Sequence, residues 1–210
     1  QAEVGFIGRV LLNAFNAWEY GCQFDREDLK ANSMKVFDSY LENGFTPVGF
    51  FKELVDFDKG YEEPVHSIRR QSEGIYAMLH FLAYEKENGR RHPEWEQKMK
   101  NMLDILLQLQ QADGSFPRKF RDDFTIVDNS GGSTPSATLP LVMGYKYFKD
   151  KRYLASAKQT ADYLEKVLIS KADYFSSTLD ANCEDKEASL YAATATYYLS
   201  LITKGEEHRH

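Results

Sequence analysis

Long segments without charged side chains alternate along this chain with segments that are rich in charge. The segments that contain no Asp, Glu, Lys or Arg are 10–18, 74–83, 130–145 and 188–203. Charged, amphipathic stretches follow the first three of them, at 25–42, 93–112 and 150–168. A helix that is apolar all round is buried, whereas a helix with one polar face lies on the outside. The pattern therefore predicts pairs of one inner and one outer helix.

The pairs repeat along the chain. Glu73, Ser136 and Ser189 begin three successive uncharged helices, and such self-similarity indicates a repeat architecture. Within the charged stretch 93–112, apolar residues recur at the helical spacing of Met99, Met102, Leu103, Leu106 and Leu109. We count three helical hairpins and the inner helix of a fourth. The prediction is an all-α fold of about seven helices, in which a glycine inside an inner helix, Gly144, allows close approach of a neighbour.

The connections between the predicted helices are of two lengths. Turns from inner to outer helices are short, whereas the loops from outer to inner helices are long, at 43–71, 113–133 and 169–187. In antiparallel hairpins the long loops all emerge at one end, here called the long-loop rim. Residues 48–57 and 115–128 within these loops predict short strands that pair as β-hairpins. Long loops on a rigid scaffold are where function usually lies, so we expect the site at this rim.

Composition narrows the possible partners. The net charge is −6 and the basic residues are scattered, which argues against a nucleic-acid partner. The sequence has no apolar run of 18 residues and hence no predicted membrane span. Cys22 and Cys183 are too few for a disulfide framework, and no metal-ligand spacing is present, so we expect neither metal nor cofactor. We expect residues 1–210 to form a single domain that is truncated at the C-terminus.

Two segments resemble those of a known fold superfamily. Residues 110–116, QQADGSF, are similar to the Gln-…-Asp-Gly-Ser-aromatic signature that ends helices in α/α toroids and braces one hairpin against the next. Residues 128–138, DNSGGSTPSAT, resemble the small-residue start of an inner helix in six-hairpin glycosidases such as unsaturated glucuronyl hydrolases. The resemblance covers nearly the whole chain and implies an α/α toroid-type domain. A six-hairpin ring has more helices than the seven counted here, so the implied ring is incomplete.

The resemblance implies a carbohydrate-active enzyme from a bacterium, periplasmic or extracellular, that acts on an oligosaccharide or polysaccharide. Glycoside hydrolase and polysaccharide lyase activity, on neutral or acidic sugars, both fit. Two alternatives stay open, a non-catalytic glycan-binding helical domain and a helical-repeat scaffold that binds protein. Inner helices left uncovered would expose apolar surface, which would favour self-association or completion of the ring by missing chain.

Three carboxylates are candidates for catalysis, because glycoside hydrolysis commonly uses two carboxyl groups across the scissile bond. They are Asp128, Glu73 and Glu63. Asp128 lies in a Gly/Ser loop before an inner helix, where burial could tune it as a general acid. The alternative is an ordinary loop aspartate that turns the backbone.

The candidates for substrate binding lie at the same rim. Arg69 and Arg70 precede an inner helix, and a guanidinium group matches the carboxylate of an acidic sugar. Equally, one of them could pair with Glu73 and brace the helix start. The remaining candidates are His66, Tyr61, Tyr76 and Asp185. The alternative for His66 and Tyr61 is a solvated loop, and the alternative for Tyr76 is a core aromatic. The alternative for Asp185 is an acidic residue that complements the dipole of the following helix.

Overall fold

The computed structural model describes residues 7–53, 55–56, 61–62, 65–167, 169–171 and 186–207. Within these ranges the chain forms seven α-helices, which confirms the predicted all-α fold. In chain order they are α1 (Ile7–Gln23), α2 (Glu27–Asn43), α3 (Ile68–Glu87), α4 (Pro93–Leu109), α5 (Thr134–Phe148), α6 (Lys151–Val167) and α7 (Lys186–Glu207). None of the described helices is long and apolar enough to cross a bilayer.

The helices form two layers. The inner helices α1, α3, α5 and α7 pack side by side in chain order, and α2, α4 and α6 pack against α1, α3 and α5 from outside. The periodicity predicted for the second outer helix is confirmed, since α4 buries Met99, Met102, Leu103, Leu106 and Leu109. The hydrophobic core lies between the two layers, on the outer side of the inner helices.

Short strands form at the long-loop rim. They are β1 (Val55–Asp56), β2 (Tyr61–Glu62), β3 (Val65–Ser67), β4 (Lys119–Arg121) and β5 (Ile126–Asp128). β1 pairs with β2, and β3, β4 and β5 form an antiparallel sheet in that order. In this sheet His66 lies opposite Phe120, and Lys119 lies opposite Asp128. The hairpin predicted within 115–128 is therefore confirmed, and β3 extends it.

The strand predicted over 48–57 is wrong for its first part. Residues 48–53 form a turn closed by a single bridge between Phe45 and Phe51, and strand β1 begins only at Val55. Gly49 has a φ of +107°, which reverses the chain at this point. Phe50 and Phe51 are buried in the core, so their apolar character reflects packing rather than a strand.

The starts of the inner helices lie together at this rim. The backbone N–H of Ile68, the first residue of α3, donates to Arg118 O at 3.2 Å. Thr134, the first residue of α5, accepts from Phe116 N–H through Oγ1 at 2.9 Å. Because residues 116 and 118 are neighbours, α3 and α5 start at the same level and run in the same direction from it.

Two close contacts hold one hairpin to the next. The Gln110 side chain donates to Ser156 O and Thr160 Oγ1, both at 3.0 Å, and accepts from Ser156 Oγ at 2.7 Å. This is the bracing role that the resemblance of residues 110–116 implies. A Cβ on Gly144 would lie 2.6 Å from Leu103 Cδ1, so the predicted close approach of α5 to its neighbour is confirmed.

Candidate functional site

One face of α3 carries partly exposed polar and aromatic side chains, although most of the helix is buried. These residues, here called the interior stripe, are Arg69, Glu73, Tyr76 and His80. Steps of three or four residues place them on one side of the helix. Arg69 and Glu73 reach α7, which packs against α5 rather than beside α3. The interior stripe therefore faces the space that the inner helices enclose.

Three inner helices meet at the rim end of this stripe, in a group here called the rim cluster. Its members are Arg9, Arg69, Glu73, Glu187 and Tyr191. Arg69 Nε donates to Glu73 Oε1 at 2.9 Å, and its Nη2 donates to Glu187. Tyr191 Oη donates to the same Glu73 oxygen, and Arg9 Nη2 donates to Glu187 Oε1 at 3.1 Å. The cluster joins α1, α3 and α7 across the interior.

The rim cluster is electrostatically balanced. Its two arginines and two glutamates have formal charges that cancel. Burial lowers the pKa of Arg69, but the hydrogen bond to Glu73 and the negative charges around it raise it by more, so the guanidinium stays charged. Burial, followed by the charge of Glu73, raises the pKa of Tyr191. Tyr191 therefore remains a neutral phenol that donates to a carboxylate.

A buried carboxylate fixes the start of α3 behind this cluster. Glu53 is only 3% exposed and accepts from Ser67 N–H and from Gln71 Nε2, each at 2.8 Å. Gln71 also exchanges two hydrogen bonds of 2.8 Å with the backbone of Phe51. Arg70 Nη1 lies 3.7 Å from Glu53 Oε2. Of the two candidate arginines, Arg69 thus belongs to the rim cluster and Arg70 lies beside Glu53.

His66 is buried behind the rim. It is 1% exposed and packs against the rings of Phe50 and Phe120 at centroid distances of 4.8 and 5.5 Å. His66 Nε2 lies 2.7 Å from Asp122 Oδ1, and its Nδ1 lies 3.9 Å from Glu53 Oε1. In this conformation His66 connects β3 to the turn between β4 and β5 and has no surface to offer a sugar.

Asp128 ends strand β5 and has partners of its own. Its Oδ1 accepts from Ser130 N–H at 2.9 Å, and its Oδ2 lies 3.3 Å from Arg118 Nη1. Burial raises the pKa of Asp128, but the hydrogen bonds of Ser130 and the charge of Arg118 lower it by more. The net lowering favours an ionised carboxylate, which suits a base or nucleophile better than the general acid that the sequence suggested.

The remaining candidates differ in what the structure describes. Tyr76 lies on the interior stripe, and burial raises its pKa. The backbone of Tyr61 is in β2, and its side chain lies outside the described residues, as do Glu63 and Asp185. In the part of the chain that is described, no group of three or more His, Cys, Asp or Glu side chains could hold a metal ion.

Sequence reasoning did not select Arg9, Glu187 or Tyr191. One signal was present, because the basic segment before α3 and the acidic segment before α7 occupy equivalent positions in the repeat. Arg69 and Glu187 are each the second residue of their helices, and Glu73 and Tyr191 are each the sixth. Opposite charges at equivalent positions of two parallel inner helices indicate a contact across the interior.

Several known structures share this arrangement of helices. A D-mannose isomerase matches with a TM-score of 0.74 and 16% identity, over 99% of this chain and 57% of that one. A possible GH105 family member from Salmonella enterica matches with a TM-score of 0.71 and 13% identity, over 90% of this chain and 55% of that one. The unsaturated glucuronyl hydrolase of a Bacillus species matches with a TM-score of 0.66 and 14% identity, over 92% of this chain and 54% of that one.

The chain has an α/α toroid fold. The match to these structures confirms the α/α toroid-type fold that the resemblance implied. This chain spans a little over half of their length. No protein-family model and no curated protein sequence matches it.

Proposed function

We propose that this chain carries the site of a carbohydrate-active enzyme, a glycoside hydrolase or polysaccharide lyase that acts on neutral or acidic oligosaccharides. The observation that carries the proposal is the carboxylate of Glu73 at the long-loop rim, which binds one residue of its own helix α3 and one residue of α7. Glu73 is bound by a cation, Arg69, and by a protonated phenol, Tyr191. The proposal gains support from structural neighbours named as a sugar isomerase, sugar epimerases and glucuronyl hydrolases.

In this proposal Glu73 is the interior carboxylate that exchanges a proton with the substrate. Tyr191 donates a hydrogen bond to Glu73, so the two side chains form a path along which a proton can move. Asp128, whose pKa is lowered, is the second carboxylate and acts as base or nucleophile. Glu63 is the third candidate for this second role.

The same proposal gives the neighbouring residues supporting roles. Tyr76 offers an aromatic face on the interior stripe, below Glu73, and Arg69 orients the substrate. Arg70 and His66 shape the rim from behind through Glu53 and Asp122. Tyr61, whose backbone is in β2, and Asp185, which comes directly before α7 in the sequence, are proposed to contact the sugar. The analogy with the bacterial neighbours extends the proposal to a periplasmic or extracellular enzyme.

The experiment is a panel of neutral and acidic oligosaccharides, scored for thermal stabilisation of the chain and for sugar release in the same wells. Stabilisation with turnover that Glu73→Gln or Asp128→Asn abolishes supports the enzyme. Stabilisation without turnover, for a chain shown to be folded, contradicts the enzyme and indicates a glycan-binding domain. No response to any oligosaccharide overturns both.

A protein-binding scaffold is the second candidate, and one observation favours it. The face of α7 away from α5 exposes Leu190, Tyr197 and Leu201, at 65%, 60% and 51%. Steps of seven and four residues place them on one stripe of the helix. If this stripe binds protein, Leu190→Ser with Leu201→Ser abolishes a concentration-dependent rise in mass measured by light scattering. A mass that is constant over the concentration range contradicts a scaffold that binds its own copies.

A further inference from the structure

The backbone of Arg118 links the start of α3 to Asp128. The carbonyl oxygen of Arg118 accepts from the N–H of Ile68, the first residue of α3, at 3.2 Å. The N–H of Arg118 donates to the backbone oxygen of Asp128 at 2.8 Å. Glu73 lies on the second turn of the helix that Ile68 begins. Arg118 therefore joins the two segments that carry the carboxylates of the proposed function.

The side chain of Arg118 returns to the same aspartate. Arg118 Nη1 donates to Asp128 Oδ2 at 3.3 Å, while the N–H of Ser130 donates to Asp128 Oδ1 at 2.9 Å. Both carboxylate oxygens are thus held, one by a guanidinium group and one by a backbone amide. The side chain of Asp128 nevertheless stays 29% exposed, so a substrate can still reach it.

A bulge in β5 determines the direction in which Asp128 points. Phe120 pairs with Ile126, whereas the residue before it, Lys119, pairs with Asp128, so Val127 is an extra residue in β5. Because side chains alternate between the two faces of a strand, one extra residue moves those beyond it to the other face. Bulges are common beside active sites, where they redirect a side chain. Asp128 is the first residue beyond this bulge, so its direction departs from the regular alternation of the strand.

The burial of Arg118 is costly for the fold. The residue is only 6% exposed, whereas Arg121, three residues later, is exposed. A buried cation costs free energy even when it is paired, and an apolar residue of similar volume is often at least as stabilising. Stability therefore does not explain an arginine at this position, whereas a need for a charged donor beside Asp128 does.

We propose that Arg118 is a positioning residue for Asp128, which it holds at a fixed place relative to Glu73 on α3. The inference rests on the proposed function and adds a residue that acts through Asp128 without contact to the substrate. The separation of the two carboxyl groups decides how a glycoside hydrolase places water and substrate between them. Arg118 fixes this separation, since its backbone is bonded to both segments and its guanidinium group orients the carboxylate.

The charge of Arg118 provides a direct signal. Burial raises the pKa of Asp128, whereas the hydrogen bonds of Ser130 and the charges of Arg118 and Lys119 lower it by more. Loss of the Arg118 charge should therefore raise the pKa of Asp128, so that the carboxylate takes up a proton at a higher pH. Because Asp128 acts in its ionised form, as base or nucleophile, the loss of turnover in acid should then also begin at a higher pH.

The first test follows the Asp128 carboxyl carbon by nuclear magnetic resonance over pH, in the wild-type chain and in Arg118→Gln. We expect Arg118→Gln to raise the pKa of Asp128 by about one pH unit, a small effect for an opposite charge because the carboxylate is partly exposed. Arg121→Gln is the matched control, since it removes the same charge from an exposed position at the end of β4 and should leave the titration unchanged. Equal pKa values of Asp128 in the wild type and Arg118→Gln overturn the inference.

The second test uses Arg118→Lys, which keeps the charge but replaces the planar guanidinium group by a single ammonium. With an oligosaccharide that the wild type turns over, we expect kcat to fall about tenfold with KM little changed, because the carboxylate is misplaced while its charge is kept. The acid limb of the pH–rate profile should stay at its wild-type position in Arg118→Lys and move to higher pH in Arg118→Gln. A wild-type kcat in Arg118→Lys overturns the inference, and this variant decides the case if Arg118→Gln does not fold.

The inference and the proposed function fail in different ways. If Glu73→Gln and Asp128→Asn abolish turnover while the Arg118 variants keep the wild-type kcat and the wild-type titration of Asp128, the proposed function survives and only the role of Arg118 fails. If the wild type turns over no oligosaccharide, the proposed function fails, and the inference fails with it.

Discussion

Tyr191 of α7 donates a hydrogen bond to Glu73 of α3, across 118 residues of sequence and across the interior of the toroid. The two helices are not neighbours in the inner layer, because α5 lies between them. Together with the Arg69–Glu187 ion pair, this bond links α3 to α7 at the long-loop rim. The residues that we propose to act on the substrate therefore also hold together two separated helices.

Replacement of Tyr191 by Phe tests the structural part of this relationship. The phenol has a raised pKa in the folded chain, so its contribution to stability is present below pH 10 and is lost as the pH rises through the folded-state pKa. We expect Tyr191→Phe to lower the free energy of unfolding by about 1–2 kcal/mol at neutral pH. Urea titrations at neutral and alkaline pH measure the free energy of unfolding and its change with pH. The variant should lose less stability than the wild type when the pH is raised.

A matched tyrosine separates stability from function. At the far end of α5, Tyr147 donates a hydrogen bond to Glu96 at 2.8 Å, and Arg91 also donates to Glu96. Glu96 is thus bound by one tyrosine and one arginine, as Glu73 is. Tyr147→Phe should cost a similar free energy of unfolding and leave sugar binding unchanged. A loss of sugar binding in Tyr147→Phe as large as in Tyr191→Phe would mean that the effect is one of general stability.

Glu85 should control the stability of the chain in acid. Its carboxylate is 1% exposed and accepts from Trp18 at 2.8 Å, from Arg90 at 2.6 and 2.9 Å, and lies 2.8 Å from His92 Nε2. Burial raises the pKa of Glu85, and these hydrogen bonds lower it by more. The stability that this lowered pKa supplies is present above pH 4.5, the ordinary value, and is lost as the pH falls through the folded-state pKa.

Replacement of Glu85 by Gln should therefore lower the free energy of unfolding by about 2–3 kcal/mol at neutral pH, since it leaves charged donors without their acceptor. The pH dependence of stability below pH 5 should become shallower than in the wild type. Glu87→Gln, at an exposed position two residues later, is the control and should change neither. Equal acid profiles for the wild type and Glu85→Gln would refute this account.

Gly114 should not tolerate a side chain. Its φ is +91°, and a Cβ there would lie 2.3 Å from the backbone oxygen of Gln159, which cannot move aside as a side chain can. We expect Gly114→Ala to cost about 3 kcal/mol or more, from strain and overpacking together. Gly89 has a φ of +75° with nothing within 4 Å of the added Cβ, so Gly89→Ala should cost only about 1 kcal/mol. Thermal unfolding of both variants measures the difference, and equal losses would contradict it.

Much of the fold was predictable because it depends on local periodicity. The uncharged and amphipathic segments predicted the inner and outer helices, and the apolar spacing of α4 predicted its buried face. The prediction over 48–57 failed for residues 48–53, because Val48, Phe50 and Phe51 give this segment the apolar character of a strand although Gly49 turns the chain there. A single glycine with positive φ is hard to distinguish in sequence from a glycine within a strand.

Only the residues of the candidate site that lie on α3 were predictable from the sequence. Arg69 and Glu73 are four residues apart, so their pairing follows from helical spacing, and the sequence left open whether it braced the helix or bound substrate. Their partners Tyr191 and Glu187 are more than 100 residues away, and only the packing of the inner layer brings them together. The burial of His66 and the partners of Asp128 likewise depend on the sheet β3-β4-β5, in which β3 was not predicted.

The measurement that tests the central claim most directly compares Glu73→Gln with Glu96→Gln. Each substitution removes one charge from a glutamate that is bound by an arginine and a tyrosine, one in the rim cluster and one at the opposite end of the toroid. With an oligosaccharide that the wild type turns over, sugar release and thermal stability are followed together. We predict that Glu73→Gln abolishes release while Glu96→Gln retains it, with both variants folded. Retained release in Glu73→Gln would contradict the assignment of the rim cluster as the active site.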